Sequence, residues 1–94
     1  MIREADGRLY VSGPVTLDNA LALLEAGVRY LDRTTVIDFS EVSEIDSASV
    51  SLMLEWSRQA RKKGATVRFA NLGESIRSLT NLYGVEDLIL LDGE

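Results

Sequence analysis

Apolar positions along the chain follow two alternating patterns, one typical of strands and one typical of helices. Two short extended runs, residues 2–5 and 8–12, flank Asp6-Gly7, the kind of dipeptide most typical of a two-residue hairpin turn. Gly13-Pro14 is expected to end the second run, because proline cannot continue the hydrogen bonding of a central strand. The chain is therefore predicted to begin with a β-hairpin.

A helical period follows the hairpin. Apolar residues recur at intervals of three and four over residues 17–31, and Thr16 is placed to cap the helix that they define. The predicted apolar residues of this first helix are Leu17, Ala20, Leu21, Leu24, Val28 and Leu31.

The centre of the chain contains two further strands and a second helix. Residues 34–39 are β-branched and apolar at their centre, which is typical of a central strand covered on both faces. Asp46 and Ser47 can each cap a second helix over residues 47–63, in which Met53 is expected in the core and Trp56 suits either the core or an interface. Gly64 can end this helix in a left-handed turn, and residues 65–70 form the next predicted strand.

The last part of the chain predicts a third helix and a short final strand. Ile76, Leu79, Thr80 and Tyr83 mark one helical face that ends at Gly84, and residues 88–91 form the strand. Because helices link the extended runs and parallel strands need crossover connections, we predict a single-domain α/β fold. Its mixed sheet should be covered by three to four helices.

The composition narrows the possible chemistry. The 94 residues suffice for one core and include neither histidine nor cysteine. Because histidine is the usual partner of a serine nucleophile and the commonest metal ligand, Ser-His-Asp catalysis is excluded. A net charge of −5 repels nucleic-acid phosphates, and no phosphate-cradling glycine loop is present. An enzyme or carrier that uses its carboxylates as acid and base on a small ligand stays open as the weaker alternative. We expect neither an enzyme nor a nucleic-acid-binding protein, and no cofactor.

Two further expectations concern membranes and metals. The longest apolar runs have four residues, far fewer than the roughly 20 that cross a bilayer, and the N-terminus lacks the features of an export signal. A cytoplasmic location without membrane insertion is expected. The carboxylates Asp38, Glu41, Glu44 and Asp46 do not have calcium-loop spacing, so we interpret them as a solvated acidic rim that can steer a basic partner.

One segment carries a family resemblance. Residues 36–50 have the sequence VIDFSEVSEIDSASV, which closely resembles the signature of STAS domains, the family named after sulphate transporters and anti-sigma-factor antagonists. The flanking segments LYVSGPVT at residues 9–16 and RKKGATV at residues 61–67 are similar to other parts of that family's pattern. Within the family, the chain most resembles the free-standing STAS subunits of bacterial ABC transporters that maintain outer-membrane lipid asymmetry. It departs from the pattern at Ser49, where most members have glycine, and at Val50, where leucine is usual.

The resemblance implies a protein-binding function. The partner is either the ATPase subunit of an ABC transporter, which would hold the chain at the inner face of the inner membrane, or a serine kinase that restrains a sigma factor. Ser47 occupies the phosphoacceptor position, and the residues implied in partner binding are Asp46, Ser47, Ala48, Ser49, Val50 and Trp56. On local sequence alone, Asp46-Ser47 needs no function beyond that of a helix cap.

Overall fold

The computed structural model describes residues 1–92 as an α/β fold with one four-stranded sheet. The strands lie in the order β1-β2-β3-β4, with β1 antiparallel to β2 and the other neighbours parallel. This mixed sheet confirms the predicted fold class. The elements are β1 (Ile2–Ala5), β2 (Arg8–Val15), α1 (Ala20–Val28), β3 (Thr35–Ile45), α2 (Ala48–Lys62), β4 (Val67–Ala70), α3 (Glu74–Leu82) and a 3-10 turn (Glu86–Leu88).

The N-terminal hairpin forms as predicted, but its second strand is longer. Asp6 and Gly7 both have positive φ, as a tight turn between twisted strands requires. Gly13-Pro14 lies inside β2 instead of ending it, next to an irregularity in the pairing with β3. Proline is tolerated there because β1 pairs only as far as Val11, so the missing N–H breaks no bond with β1.

The central strand β3 also extends beyond the prediction. Its second half, residues 40–45, pairs with the extended end of β2, so a segment that lacks a strand pattern is held by its neighbour. Ile37 and Phe39 are buried in the core on one face of the strand, and on the other face Asp38 is buried and Val36 is half-buried. The predicted central position of residues 34–39 is confirmed, because β3 lies between β2 and β4 and both faces of this half are at least partly covered, whereas Ser40 beyond it is exposed.

The first helix is shorter than predicted, and only part of its predicted apolar face lies against the core. It begins after Asn19, not at Thr16, because the Asn19 side chain accepts a bond from Thr16 N (2.8 Å) and holds residues 16–19 in a turn. Its buried residues are Leu23 and Gly27. Of the predicted apolar face, Leu31 is buried and Leu24 and Val28 pack partly against the core, whereas Leu17 and Leu21 are exposed.

The core lies between the sheet and the helices, and Trp56 of α2 is at its centre. Trp56 and Met53 are both fully buried, which confirms the prediction for Met53. The Trp56 indole packs on Gly27 of α1 and donates a hydrogen bond to Leu24 O (3.3 Å). A Cβ at position 27 would lie only 2.7 Å from Trp56 Nε1, so the helices approach at a distance that only glycine permits.

The predicted final strand is reduced to a single bridge. Residues 86–88 form a 3-10 turn, and only Leu91 pairs with β4, opposite Phe69. Phe69 N donates to Leu90 O and Asp92 N donates to Phe69 O, so this segment covers the edge of β4 with two backbone bonds.

A buried carboxylate joins three strands and the C-terminal segment. Asp38 accepts hydrogen bonds from Arg8 Nη1 (3.0 Å), Asn71 Nδ2 (2.8 Å) and Ser40 N (2.7 Å), and Arg8 Nη2 also reaches Asp92 (3.1 Å). Burial alone raises the pKa of the Asp38 carboxyl, but the bonds from Ser40, Asn71 and Arg8 outweigh it and hold the pKa below its usual value.

The contact between α1 and α2 predicts a large effect of one methyl group. Gly27→Ala improves helix propensity but forces the Cβ into the buried Trp56 ring, so we expect a net loss of about 1 to 2 kcal/mol in the free energy of unfolding. Gly73→Ala is the control, because no atom lies within 4 Å of its added Cβ. Gly73 is the N-cap of α3, where alanine is less favoured than glycine, so this change should cost about 0.5 kcal/mol. Urea denaturation measures both, and equal stabilities of Gly27→Ala and wild type would contradict the packing.

The Asp38 network predicts how stability depends on pH. Because the folded-state pKa lies below the unfolded-state value of about 4, the stabilisation is present above that value and is lost as the pH falls through the folded-state pKa. Asp38→Asn should cost about 2 kcal/mol at neutral pH, and the difference from wild type should shrink in acid. Asp32→Asn removes an exposed charge as a control and should cost less than about 0.5 kcal/mol at neutral pH. A difference between Asp38→Asn and wild type that stays constant with pH would contradict the assignment.

Candidate functional site

The junction between β3 and α2 is organised by Asp46. One carboxylate oxygen accepts from Ala48 N (2.8 Å) at the start of α2, and the other accepts from Leu17 N (3.0 Å) in the loop before α1. A carboxylate at this position also interacts favourably with the positive end of the helix dipole. Asp46 therefore connects two helices at one edge of the sheet.

Ser47 follows directly and has no such structural task. It is the N-cap residue of α2, but its hydroxyl makes no capping hydrogen bond, and within residues 1–92 it has no other partner. The side chain is exposed. Of the two caps that the sequence allowed, the structure uses Asp46 and leaves the Ser47 hydroxyl accessible.

Ser49 explains how the chain tolerates its departure from the family's glycine. The residue is fully buried, and its hydroxyl donates to Asp46 O (2.8 Å), which also accepts from Ser49 N (3.0 Å). The hydroxyl that serine adds at this position is therefore hydrogen-bonded, and its bond helps to close the turn.

The six residues implied in partner binding separate into two groups. Asp46, Ser47, Ala48 and Val50 line one surface cleft, although Val50 is only 4% exposed. Ser49 and Trp56 are fully buried, so in this conformation neither can touch a partner. For Trp56 the physical reason is its position against Gly27 in the core, which removes it from the surface of α2.

The cleft itself was not predicted from the sequence. A groove of about 760 Å³ runs between α1, α2 and the end of α3, with Ser47 at one end. Its apolar walls include Leu17 and Leu21 from the α1 side and Tyr83 from the α3 side. These residues are 78%, 69% and 52% exposed, so the groove is open and lined by side chains that the core does not use. We call this feature the apolar cleft.

A signal for the cleft was present in α1. Leu21, Ala22, Leu23 and Leu24 are consecutive, so a helix through them is apolar on more than one side, while only one side can face the sheet. The predicted apolar face assigned Leu17 and Leu21 to that inner side. The structure places Leu23 there instead and leaves these two leucines outside.

The predicted acidic rim is only partly a rim. Asp38 is buried, and Glu41 forms an ion pair with Arg3, whose guanidinium also stacks over Tyr10 at 4.5 Å. Glu44 is exposed and has no ion-pair partner within residues 1–92. No group of three or more possible ligands in that range is arranged to hold a metal ion.

Comparison with known proteins identifies the family. A family model described as "Mlab, STAS domain" matches residues 2–92. The chain is also 30% identical over 77 residues to the intermembrane phospholipid transport system binding protein MlaB of Escherichia coli (strain K12), covering 82% of this chain and 79% of that protein, and the Shigella flexneri protein of the same name matches equally. The chain therefore belongs to the STAS domain family.

Solved structures agree on the fold. The anti-sigma factor antagonist SpoIIAA in its unphosphorylated form superimposes with a TM-score of 0.73 at 14% identity, covering 100% of this chain and 88% of that one. An anti-sigma-factor antagonist (STAS) domain protein from Planctomyces limnophilus has a TM-score of 0.73 at 8% identity, covering 97% and 86%. None of the helices within residues 1–92 has the length and apolar character needed to span a membrane.

The two residues at the helix start should differ in their effect on stability. Asp46→Ala removes two hydrogen bonds to backbone N–H groups, so we expect a loss of about 2 kcal/mol in the free energy of unfolding. Ser47→Ala removes no hydrogen bond and should change stability by less than about 0.5 kcal/mol. Chemical denaturation of the two variants measures this difference. Equal losses of stability, or a larger loss for Ser47→Ala, would contradict the roles assigned to the two residues.

Proposed function

We propose that this chain is a non-enzymatic regulatory subunit that docks on the cytoplasmic ATPase of a phospholipid-transporting ABC system. The relatives at 30% identity are named as binding proteins of an intermembrane phospholipid transport system. In this proposal, partner binding holds the chain at the inner face of the inner membrane. Its effect is to stabilise or activate the ATPase.

The observation that carries the proposal is the position of Ser47 at the end of the apolar cleft. The hydroxyl is accessible and makes no hydrogen bond within residues 1–92, and the side chain is small, so a partner backbone can approach closely. Exposed Leu17, Leu21 and Tyr83 line the same cleft and supply apolar surface whose burial stabilises association. Large exposed apolar side chains beside an accessible polar group are typical of a protein interface.

The arrangement also favours binding over chemistry. A catalytic serine needs a base within hydrogen-bond distance, and the Asp46 carboxylate beside Ser47 is occupied by two backbone N–H groups. The chain has no histidine that could take this role. These features support a surface that recognises a protein instead of transforming a substrate.

The second candidate is a phosphorylation switch in an anti-sigma-factor pathway. Its support is the exposed Ser47 hydroxyl at the start of α2, where the helix dipole accommodates a phosphate. A phosphate there would add about −1.5 to −2 charges beside Asp46 and the apolar cleft, which would act on binding more than on the fold. We favour the transport role, because the named relatives at 30% identity belong to a transport system.

The docking proposal is tested by separating binding from folding. Ser47→Glu places a long charged group at the edge of the cleft, and burying it without a partner should weaken binding at least about a hundredfold. Glu is tolerated near a helix N-terminus, so the thermal midpoint should remain close to that of wild type. We would measure this midpoint and co-purification with the candidate ATPase subunit.

The matched control is Thr34→Glu. Thr34 is exposed and precedes β3, whereas Ser47 follows it, so the control adds the same charge at the opposite end of that strand. The control should co-purify normally. A folded Ser47→Glu variant that co-purifies like wild type and supports full ATPase activity would reject the docking proposal and leave Ser47 as part of an ordinary helix start.

A further inference from the structure

We infer that the apolar cleft receives a basic amphipathic helix of the partner protein, so that the partner segment carries an apolar stripe flanked by lysine or arginine. This inference rests on the proposed docking function and specifies the chemistry of the bound segment. It follows from the shape, the charge and the backbone bonding of the cleft walls.

The apolar stripe is required by the walls themselves. Leu17, Leu21 and Tyr83 line the cleft and are each more than half exposed, and Leu54 of α2 lines it with them. A polar segment placed here would leave this surface without apolar contacts and would lose hydrogen bonds to water. Only a segment with its own row of apolar side chains gains from filling the groove.

The basic flanks follow from the charges in and beside the same walls. Among the residues that line the cleft, only Asp46 and Glu55 are charged, and both are acidic. Four further acidic residues lie within two positions of lining residues along the chain: Asp18, Glu25, Glu86 and Asp87. Arg58 partly compensates Glu55 through an ion pair, but Asp18 and Glu25 are exposed and have no ion-pair partner within residues 1–92. An acidic partner would be repelled here, whereas a basic one is attracted and oriented.

The helical form follows from the backbone of the walls. The cleft lies between α1 and α2, whose N–H and C=O groups are largely bonded within each helix, so the walls offer no free strand edge for pairing. A partner must therefore bind through side chains. Apolar residues at positions i, i+3, i+4 and i+7 of a helix present such a row on one face.

Crosslinking identifies the bound segment directly. A photo-crosslinking amino acid in place of Leu21 is combined with the purified ATPase subunit, and mass spectrometry locates the crosslinked peptide. The same amino acid in place of Thr34 is the control position. We expect the Leu21 position to capture a segment with helical apolar spacing and flanking basic residues, and the Thr34 position to capture none.

Binding measurements test separately whether charge attraction contributes to binding. Raising the salt concentration from about 50 to 500 mM should raise the Kd about tenfold, because salt screens the attraction between exposed charges. Glu25 is four residues beyond Leu21 on α1, so Glu25→Lys should also weaken binding about tenfold and reduce the salt dependence. Asp32→Lys makes the same change of charge beyond the far end of α1 and should stay within about twofold of wild type.

The outcomes distinguish this inference from the proposed function. If wild type binds the ATPase subunit but the crosslinked segment is acidic or non-helical, or if neither salt nor Glu25→Lys changes the Kd, the inference is wrong and the docking function survives. A crosslink between two copies of this chain would also contradict the inference, because the cleft would then bind a second copy instead of a helix of the partner. Failure of wild type to bind the ATPase subunit at all would overturn both.

Discussion

The geometry of the candidate site depends on the two hydrogen bonds that the Asp46 carboxylate accepts. Because β2 and β3 are parallel, their carboxyl ends meet at one edge of the sheet, and the segments that follow them leave side by side. Asp46 joins those segments by accepting from Leu17 N and Ala48 N. The first wall of the cleft and the start of α2 are therefore held in register by one side chain.

The width of the cleft depends on a second contact, in the core. Gly27 lets α1 lie directly against the Trp56 ring, so α1 and α2 remain close and the exposed leucines of α1 stand beside the outer face of α2. The signature residues thus divide their tasks by burial. Among the residues implied in partner binding, Asp46 and Ser49 hold the turn, Trp56 holds the helices together, and Ser47 keeps an accessible hydroxyl.

Charge is divided in a similar way between the interior and the surface. Asp38 is used inside the molecule, where Arg8 and Asn71 compensate its burial and tie the C-terminal segment to the sheet. Around the apolar cleft, Asp18, Glu25, Glu86 and Asp87 instead face solvent, whereas Arg58 partly compensates Glu55 and Asp46 accepts two backbone hydrogen bonds. A chain with a net charge of −5 therefore has its acidic surface next to its apolar surface, which is the combination that a basic amphipathic partner matches.

The sequence by itself determined the α/β class, the Asp6-Gly7 hairpin, the three helices and the helix start at Asp46 and Ser47. These features could be predicted because local periodicity and turn chemistry act over a few residues. The tertiary structure alone decided the extension of β3, which neighbouring β2 imposes on a segment with weak strand preference. It also decided which side of α1 faces the sheet and that Trp56 is internal. An all-round apolar helix can pack on any side, and the Trp56 ring, which packs directly on Gly27, fixes that side here.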